Sequence, residues 1–408
     1  MSIKENIKSL LLSNIVVPRQ RKIGIEEECF IYKNNGSRLT VNKGNEFSAA
    51  DLLIIINRKT LNNGHYTLEP GGQLEWSSPP LKNLKQLNNS FQKHKNTLSK
   101  LLKEYELKSI SYATDPQFSP DDIELIKDTK YQLMDERFDV SGTMGRWMMR
   151  NSASIQINFD ATGKRDLEEM AFISDSLHPI SSFIFSNSPF INDSNVGMKN
   201  MRNIIWENTD NERCRNLFDH NIYSSSGLLE SYIEYVLEVP ALFKINENNN
   251  LEKSDKTIGV ELKFLEEKNQ LTPQNIKLYL QQIFTNVRLK NVLEVRGADR
   301  TPFGYELAPV AFWTGILTDE KTKEIILCEI NKWTLEDRKA LNIASLKLDD
   351  SQQGPMGKSY GYWNNWAMEL AIKGLENRGK GEEIFLEKFI NIIKRKGPFT
   401  LQLQNNED

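Results

Sequence analysis

Apolar residues at Leu84, Leu87, Phe91, Leu98, Leu101 and Leu102 recur at helical intervals, so Leu81–Glu106 is expected to be a helix with one buried face. Asp166–Phe185 has the same character. His178-Pro179 is expected to kink or divide it, because proline removes an amide from a helix interior. Residues 1–20 read as a short helix leading to a first strand, and Ser109–Thr114 as a strand. Tyr131–Arg150, with Gly142 and Gly145, reads as a loop and short helix. Lys199–Trp206 reads as helix, Ser231–Phe243 as helix or strand, Asn187–Asn195 as a loop and Asn246–Asn250 as a turn. Thr272-Pro273 opens a helix with proline at its first position. Beyond Pro309 the pattern is helical nearly to the end, with a polar loop at Asp349–Gly361 and a frayed Gln404–Asp408.

Four segments alternate polar and apolar positions instead: Gly24–Glu28, Glu69–Glu75, Ser154–Asn158 and Leu293–Arg296. Alternate side chains of a strand share a face. Glu26 with Glu28, Gln73 with Glu75, Gln156 with Asn158, and Glu294 with Arg296 therefore point one way. Ile25, Leu74, Trp76, Ile155, Ile157, Phe159, Leu293 and Val295 point the other. Any one segment alone describes a half-exposed strand, and Glu294 with Arg296 a structural ion pair. In one sheet they would line a whole face with carboxylates and amides. Glu27 falls on the apolar side and would fit best at a sheet end. Pro70-Gly71-Gly72 implies a bulge that aims its neighbours, or a plain hairpin turn. The charged run from Arg288 to Arg300 supplies what a nucleoside triphosphate and its metals require. Arg202 and Trp206, four apart, share a helix face suited to clamping a carboxylate or to a surface cation–π pair.

Composition narrows the chemistry. The 408 residues are 26% charged with net charge −3, and no basic stripe suggests nucleic acid. No apolar run approaches the roughly 20 residues of a membrane span, and the N-terminus lacks the features of a secretory signal. Three cysteines, Cys29, Cys214 and Cys328, without CxxC spacing, point to reduced thiols in the cytoplasm. The four histidines sit singly, so any metal would take oxygen ligands, favouring magnesium or manganese over zinc. Gln353–Ser359 ends like a phosphate loop, but position 352 is Gln where the pattern needs Gly, and Pro355 removes an amide. Lys358 could still reach a nucleotide.

Taken in order, the polar segments resemble the glutamate–cysteine ligase family of plant and proteobacterial type. The resemblance runs from Arg21 to about Leu317. It rests on Gly24–Glu28, Leu68–Glu75, Met148-Met149-Arg150 with Ser154–Asn158, and Phe185–Phe190. Met201–Trp206 with Thr209-Asp210 and Arg213, Val239–Phe243, and Val287–Asp299 complete it. It implies an α+β fold related to glutamine synthetase, with a funnel-like antiparallel sheet and surrounding helices. Residues 1–408 would form one catalytic domain: a helical lead to residue 20, a sheet core at 21–317 and a helical part at 318–408.

The activity implied is ATP-dependent ligation of the γ-carboxylate of glutamate to the amine of cysteine through a γ-glutamyl phosphate, the first step of glutathione biosynthesis. By the same resemblance Glu26, Glu28, Glu69, Glu75 and Glu294 hold two or three Mg²⁺, with Mn²⁺ an alternative. Arg296, Gln156 and Asn158 meet ATP; Arg202 and Trp206 bind glutamate. Glu69, Glu294 and Arg296 serve catalysis. Arg150, the arginine nearest the position where some members carry one (here Asn151), is a further substrate candidate. Positioning and charge neutralisation supply the rate without a general base. The cysteine pairs of plant members have no counterparts, so no disulfide switch is expected. Partners are small molecules, and the chain would be a monomer or homodimer. Two readings stay beside this one: a ligase of the same fold with another amine acceptor, and a non-catalytic carboxylate-rich relative.

Overall fold

The computed structural model describes residues 2–60, 62–246, 248 and 250–405. Three of the four alternating segments become strands of one antiparallel sheet, while most of the fourth, Glu69–Gln73, forms the turn between two of its strands. Its members are β1 (Ile23–Lys33), β2 (His65–Leu68), β3 (Leu74–Ser77), β4 (Leu107–Ile110), β5 (Ser154–Phe159), β6 (Val287–Leu289) and β7 (Leu293–Asp299). They lie in the order β6-β7-β5-β1-β3-β2, with β4 pairing the far half of β1. Register sets Glu26 opposite Gln156, Glu28 opposite Glu75 and Glu294 opposite Asn158. Residues far apart in the chain thus share one polar face.

The other face is the core. Ile25, Trp76, Ile155, Ile157, Phe159 and Val295 are buried there, against helices that include α3 (Leu84–Glu104) and α6 (Lys164–Ile184), and the helices α1 (Ile3–Leu11) and α2 (Ala49–Lys59) add Ile7, Leu11, Leu52 and Ile56 to the same core. Each fully buried large side chain contributes roughly 1.5–3 kcal/mol. On the polar side stand α4 (Thr129–Ser141), α5 (Gly145–Asn151) and α7 (Met201–Glu207), whose Phe138, Met148, Met149 and Ile205 form a smaller apolar cluster. The C-terminal helices begin at Ala308–Thr318, and their Phe312, Trp313, Trp363 and Phe389 join the large core cluster.

Several expectations change. Tyr131–Arg150 is largely two helices, α4 and α5, because Asp128 caps the first and glycines interrupt the chain only near residue 142. Pro179 does not divide α6, which runs unbroken over 21 residues. The carbonyl of Pro179 accepts from the Tyr360 hydroxyl at 2.6 Å, so packing holds the helix there. Ser231–Phe243 resolves to a helix, Leu228–Glu238, followed by extended chain. The strand expected at Ser109–Thr114 ends at Ile110. Gln404 is not frayed: it ends a helix and its amide donates to Gly197 and Thr400 carbonyls. Residues 406–408 lie outside the described residues, as do 247 and 249 of the predicted turn.

Candidate active site on the polar face of the sheet

The turn between β2 and β3 builds the first wall. The Gly72 amide donates to the Glu69 carbonyl at 2.8 Å and the Glu69 amide to the Gln73 carbonyl at 2.9 Å, with Gly72 at φ +76°. A Cβ on Gly71 would lie 2.5 Å from Arg150 Cα, so only glycine lets α5 approach. Gln73 ties the turn down by donating to the Met149 and Ser152 carbonyls at 3.2 and 2.9 Å. The segment is therefore a hairpin turn and part of the site at once.

These constraints bring Glu28, Glu69 and Glu75 together, with one carboxylate oxygen from each within 4.8 Å of the others. Glu28 accepts from the Ser154 amide and hydroxyl at 2.7 and 2.9 Å and from Gln156 Nε2 at 2.7 Å. Glu75 accepts from Thr67 Oγ1 at 2.7 Å. Glu26 stands beside them, with Asn158 Nδ2 donating to it at 2.9 Å. The cluster is under-neutralised. Burial and the neighbouring Glu28 charge push Glu69 up to about 7. Burial, Glu69 and Glu26 hold Glu75 well above the carboxylate range. Burial raises Glu28 too, against the pull of Arg202. Oxygen donors crowded in this way suit a hard divalent cation, which would remove their repulsion.

Across the cavity lies the opposite charge. Glu294, fully buried, accepts from Arg288 Nε at 2.5 Å, Lys290 Nζ at 2.5 Å and Arg296 Nη1 at 3.1 Å. Burial would raise its pKa, but the three cations outweigh it and hold it well below the usual range. Glu294 is therefore not brought into the carboxylate cluster: its oxygens already neutralise cations. A β-bulge between Val295 and Ala298 gives β7 two residues opposite Gln156. Arg296 thereby reaches Gln156 Oε1 at 2.5 Å, and Asp299 also comes to the polar side. Gly297 is required there, since a Cβ would meet the His178 ring at 2.1 Å.

Arg202 and Trp206 lie between the two charge sets. The guanidinium carbons of Arg202 and Arg296 sit 5.7 and 5.6 Å from the Trp206 ring centroid. Arg202 Nη1 is 3.7 Å from Asp299, while Arg202 Nε and Trp206 Nε1 are buried without a partner. These unmet donors suit an incoming carboxylate. The cavity holds about 340 Å³ and also includes Lys130, Met148 and Phe284. A second cavity of about 310 Å³ adjoins it through Glu26, Gln281 and Lys290, and includes Asn158.

Arg150 departs from expectation. It donates to the Pro120 and Ile123 carbonyls and to Asp135 at 2.7 Å, and lines neither cavity. Its guanidinium is used to fasten α5 to α4. Glu27 is not at a sheet end: it is mid-strand and buried, paired with Arg300 at 2.7 Å and His94 at 3.0 Å. Lys358 faces Tyr362 and lines neither cavity. Lys130 and Asp299 join the site without having been singled out; Lys130 carried no pattern, and Asp299 needed the bulge.

A model of glutamate–cysteine ligase family 2 matches residues 22–363, well past the point where the motifs fade. The chain is 30% identical over 340 residues to a chloroplastic glutamate–cysteine ligase of Medicago truncatula, covering 80% of this chain and 65% of that protein. Its likeness to the Arabidopsis thaliana counterpart is 29%, covering 80% and 63%. The chain thus spans just under two thirds of the length of these relatives. Among solved structures, a glutamate–cysteine ligase of Francisella tularensis in complex with AMP superposes with TM-score 0.59 at 11% identity, covering 94% of this chain and 87% of that one. A bifunctional glutathione synthetase of Pasteurella multocida gives 0.51 at 15% identity, covering 99% and 50%. These likenesses support the mixed, antiparallel fold.

Proposed function

The chain belongs to glutamate–cysteine ligase family 2, and on that premise we propose that it joins the γ-carboxylate of glutamate to the amine of cysteine, with ATP converted to ADP and phosphate. The observation that carries this reading is the facing of two charge sets: Glu28, Glu69 and Glu75 on one wall, Arg288, Lys290 and Arg296 on the other. Glu28, Glu69 and Glu75, with Glu26 beside them, fit Mg²⁺, as their mutual repulsion and all-oxygen donor set require. Bound there, the ion would neutralise phosphate charge and polarise the transferring phosphoryl group. Glu294 acts differently from the ligand role first expected: it fixes Arg288, Lys290 and Arg296 as a preformed cationic wall.

The reaction follows from the placement. The glutamate carboxylate is a poor electrophile, so ATP must first phosphorylate it. Arg202 and the Trp206 indole N–H hold the amino acid, and Arg296, steadied by Gln156, meets the phosphates. The smaller cavity at Glu26 and Asn158 takes the nucleoside end. The amine then displaces phosphate, and the apolar Met148 and Phe284 side chains keep water from the acyl phosphate. The polar cavity, floored by the sheet and walled by α4, α5 and α7, supports the funnel-like arrangement. Free Cys29, Cys214 and Cys328 support a reducing compartment, the cytoplasm.

A coupled ADP-release assay over a panel of amino-acid acceptors tests the proposal. Cysteine with glutamate should give the highest turnover; a better acceptor would replace the cysteine assignment, and no ADP with any acceptor would refute the ligase.

A further inference from the structure

A larger cavity, about 880 Å³, shares no residue with the two on the polar face. It lies where the turn Pro18–Gln20, the first turn of α6, the helix Glu320–Ile330 and the segment after the helix Tyr360–Asn377 meet. Seven basic side chains line it against four carboxylates, a local excess of positive charge in a chain whose net charge is −3. Asp166 neutralises the two innermost cations, Arg21 and Lys323. Arg165 pairs with Glu169. Among the described residues Arg19, Lys82 and Lys380 form no close ion pair, although Glu382 lies near enough to Lys380 to attract it.

Two further features are left open. Arg378 spends Nε on Glu382 and Nη1 on Thr318, while its Nη2 is buried with no partner. The first turn of the 21-residue helix α6 borders the cavity at Thr162, Gly163 and Arg165; Gly163 supplies no side-chain cap, and Asp166 in that turn accepts from the Thr162 amide at 2.8 Å.

We propose that this cavity is a binding site for a multivalent phosphate anion, separate from the reaction centre and seated between the first turn of α6 and Arg378. Free guanidinium and ammonium donors with a helix N-terminus are the combination that recognises phosphate oxygens. Asp166, Glu169 and Glu320 are already engaged by cations; Glu324 also lines the cavity near Arg165, and with it counted the basic side chains still outnumber the carboxylates.

The test is calorimetric titration with tripolyphosphate in EDTA at fixed ionic strength. It compares the unaltered protein, the double variant Lys82→Glu/Lys380→Glu, and Arg296→Ala. Both lysines are exposed, so the charge reversal should leave the fold intact, checked by circular dichroism. One saturable event per chain should weaken at least tenfold in the double variant and persist in Arg296→Ala. A double-variant titration that superimposes on the unaltered one, or loss of all binding in Arg296→Ala, overturns the proposal. Repeating the titration with a nucleoside triphosphate separates an organic phosphate ligand from an inorganic one.

Discussion

Glu27 and Glu28 are consecutive on β1, both buried, and differ in everything that burial alone does not set. Glu27 faces α3, where burial is overcome by Arg300 and His94, and its pKa falls. Glu28 faces the cavity, where burial prevails over Arg202 and its hydrogen bonds, and its pKa rises. One side of the strand is electrically complete; the other is built short of positive charge. On β1 the carboxylate completed within the fold packs away from the cavity, and the one left short lines it.

The sharpest way to break the contrast is to remove charge from the short side. Glu75→Gln should lower turnover in the proposed ligation by about 10²–10³-fold, measured by ADP release, while raising the melting temperature of the metal-free protein because a repulsive neighbour is gone. On the complete side, Glu27→Gln should cost about 3 kcal/mol in urea unfolding, since it leaves buried Arg300 with only Glu306, at 3.7 Å, as a carboxylate partner. If both variants changed stability in the same direction, the distinction would fail.

The pH dependence separates the sides more gently. Glu69 has its folded pKa raised to about 7 from an ordinary 4.5. Its contribution to the metal-free protein is present below about pH 4.5 and lost as pH rises through about 7. Because metal displaces the proton, apparent Mg²⁺ affinity should climb over the same window and level off above it. Affinity measured at pH 6 and pH 8 that is equal would contradict this. The smallest effect belongs to Arg150→Ala: KM for glutamate should stay within about twofold, with stability lost through Asp135 instead.

Legibility followed the same division. Strand alternation placed Glu26, Glu28, Glu75, Gln156 and Asn158 on the polar face because the pairing of β1 with β3 and β5 runs without a bulge. Alternation could also say that Glu27 faced the core, but not that Arg300, 273 positions away, would neutralise it there. Arg150 is suggested only by its nearness to the position, here Asn151, where some family members carry an arginine; a helix turns successive side chains in different directions, so Met148 and Met149 line the cavity while Arg150 reaches Asp135. Glu294 was visible as a polar-face carboxylate; its role depended on Arg288 across the hairpin and on the bulge that aims Arg296. Pro179 read as a break because local propensity could not include Tyr360 packed onto its carbonyl.

The central claim, that Glu28, Glu69 and Glu75 are arranged for a divalent cation, is tested most directly by titrating Mg²⁺ into the protein calorimetrically without nucleotide, beside Glu69→Gln. Saturable binding with proton release near pH 7, lost in Glu69→Gln, is the predicted result. Binding that is absent from the unaltered protein, or equally strong in the variant, would contradict it.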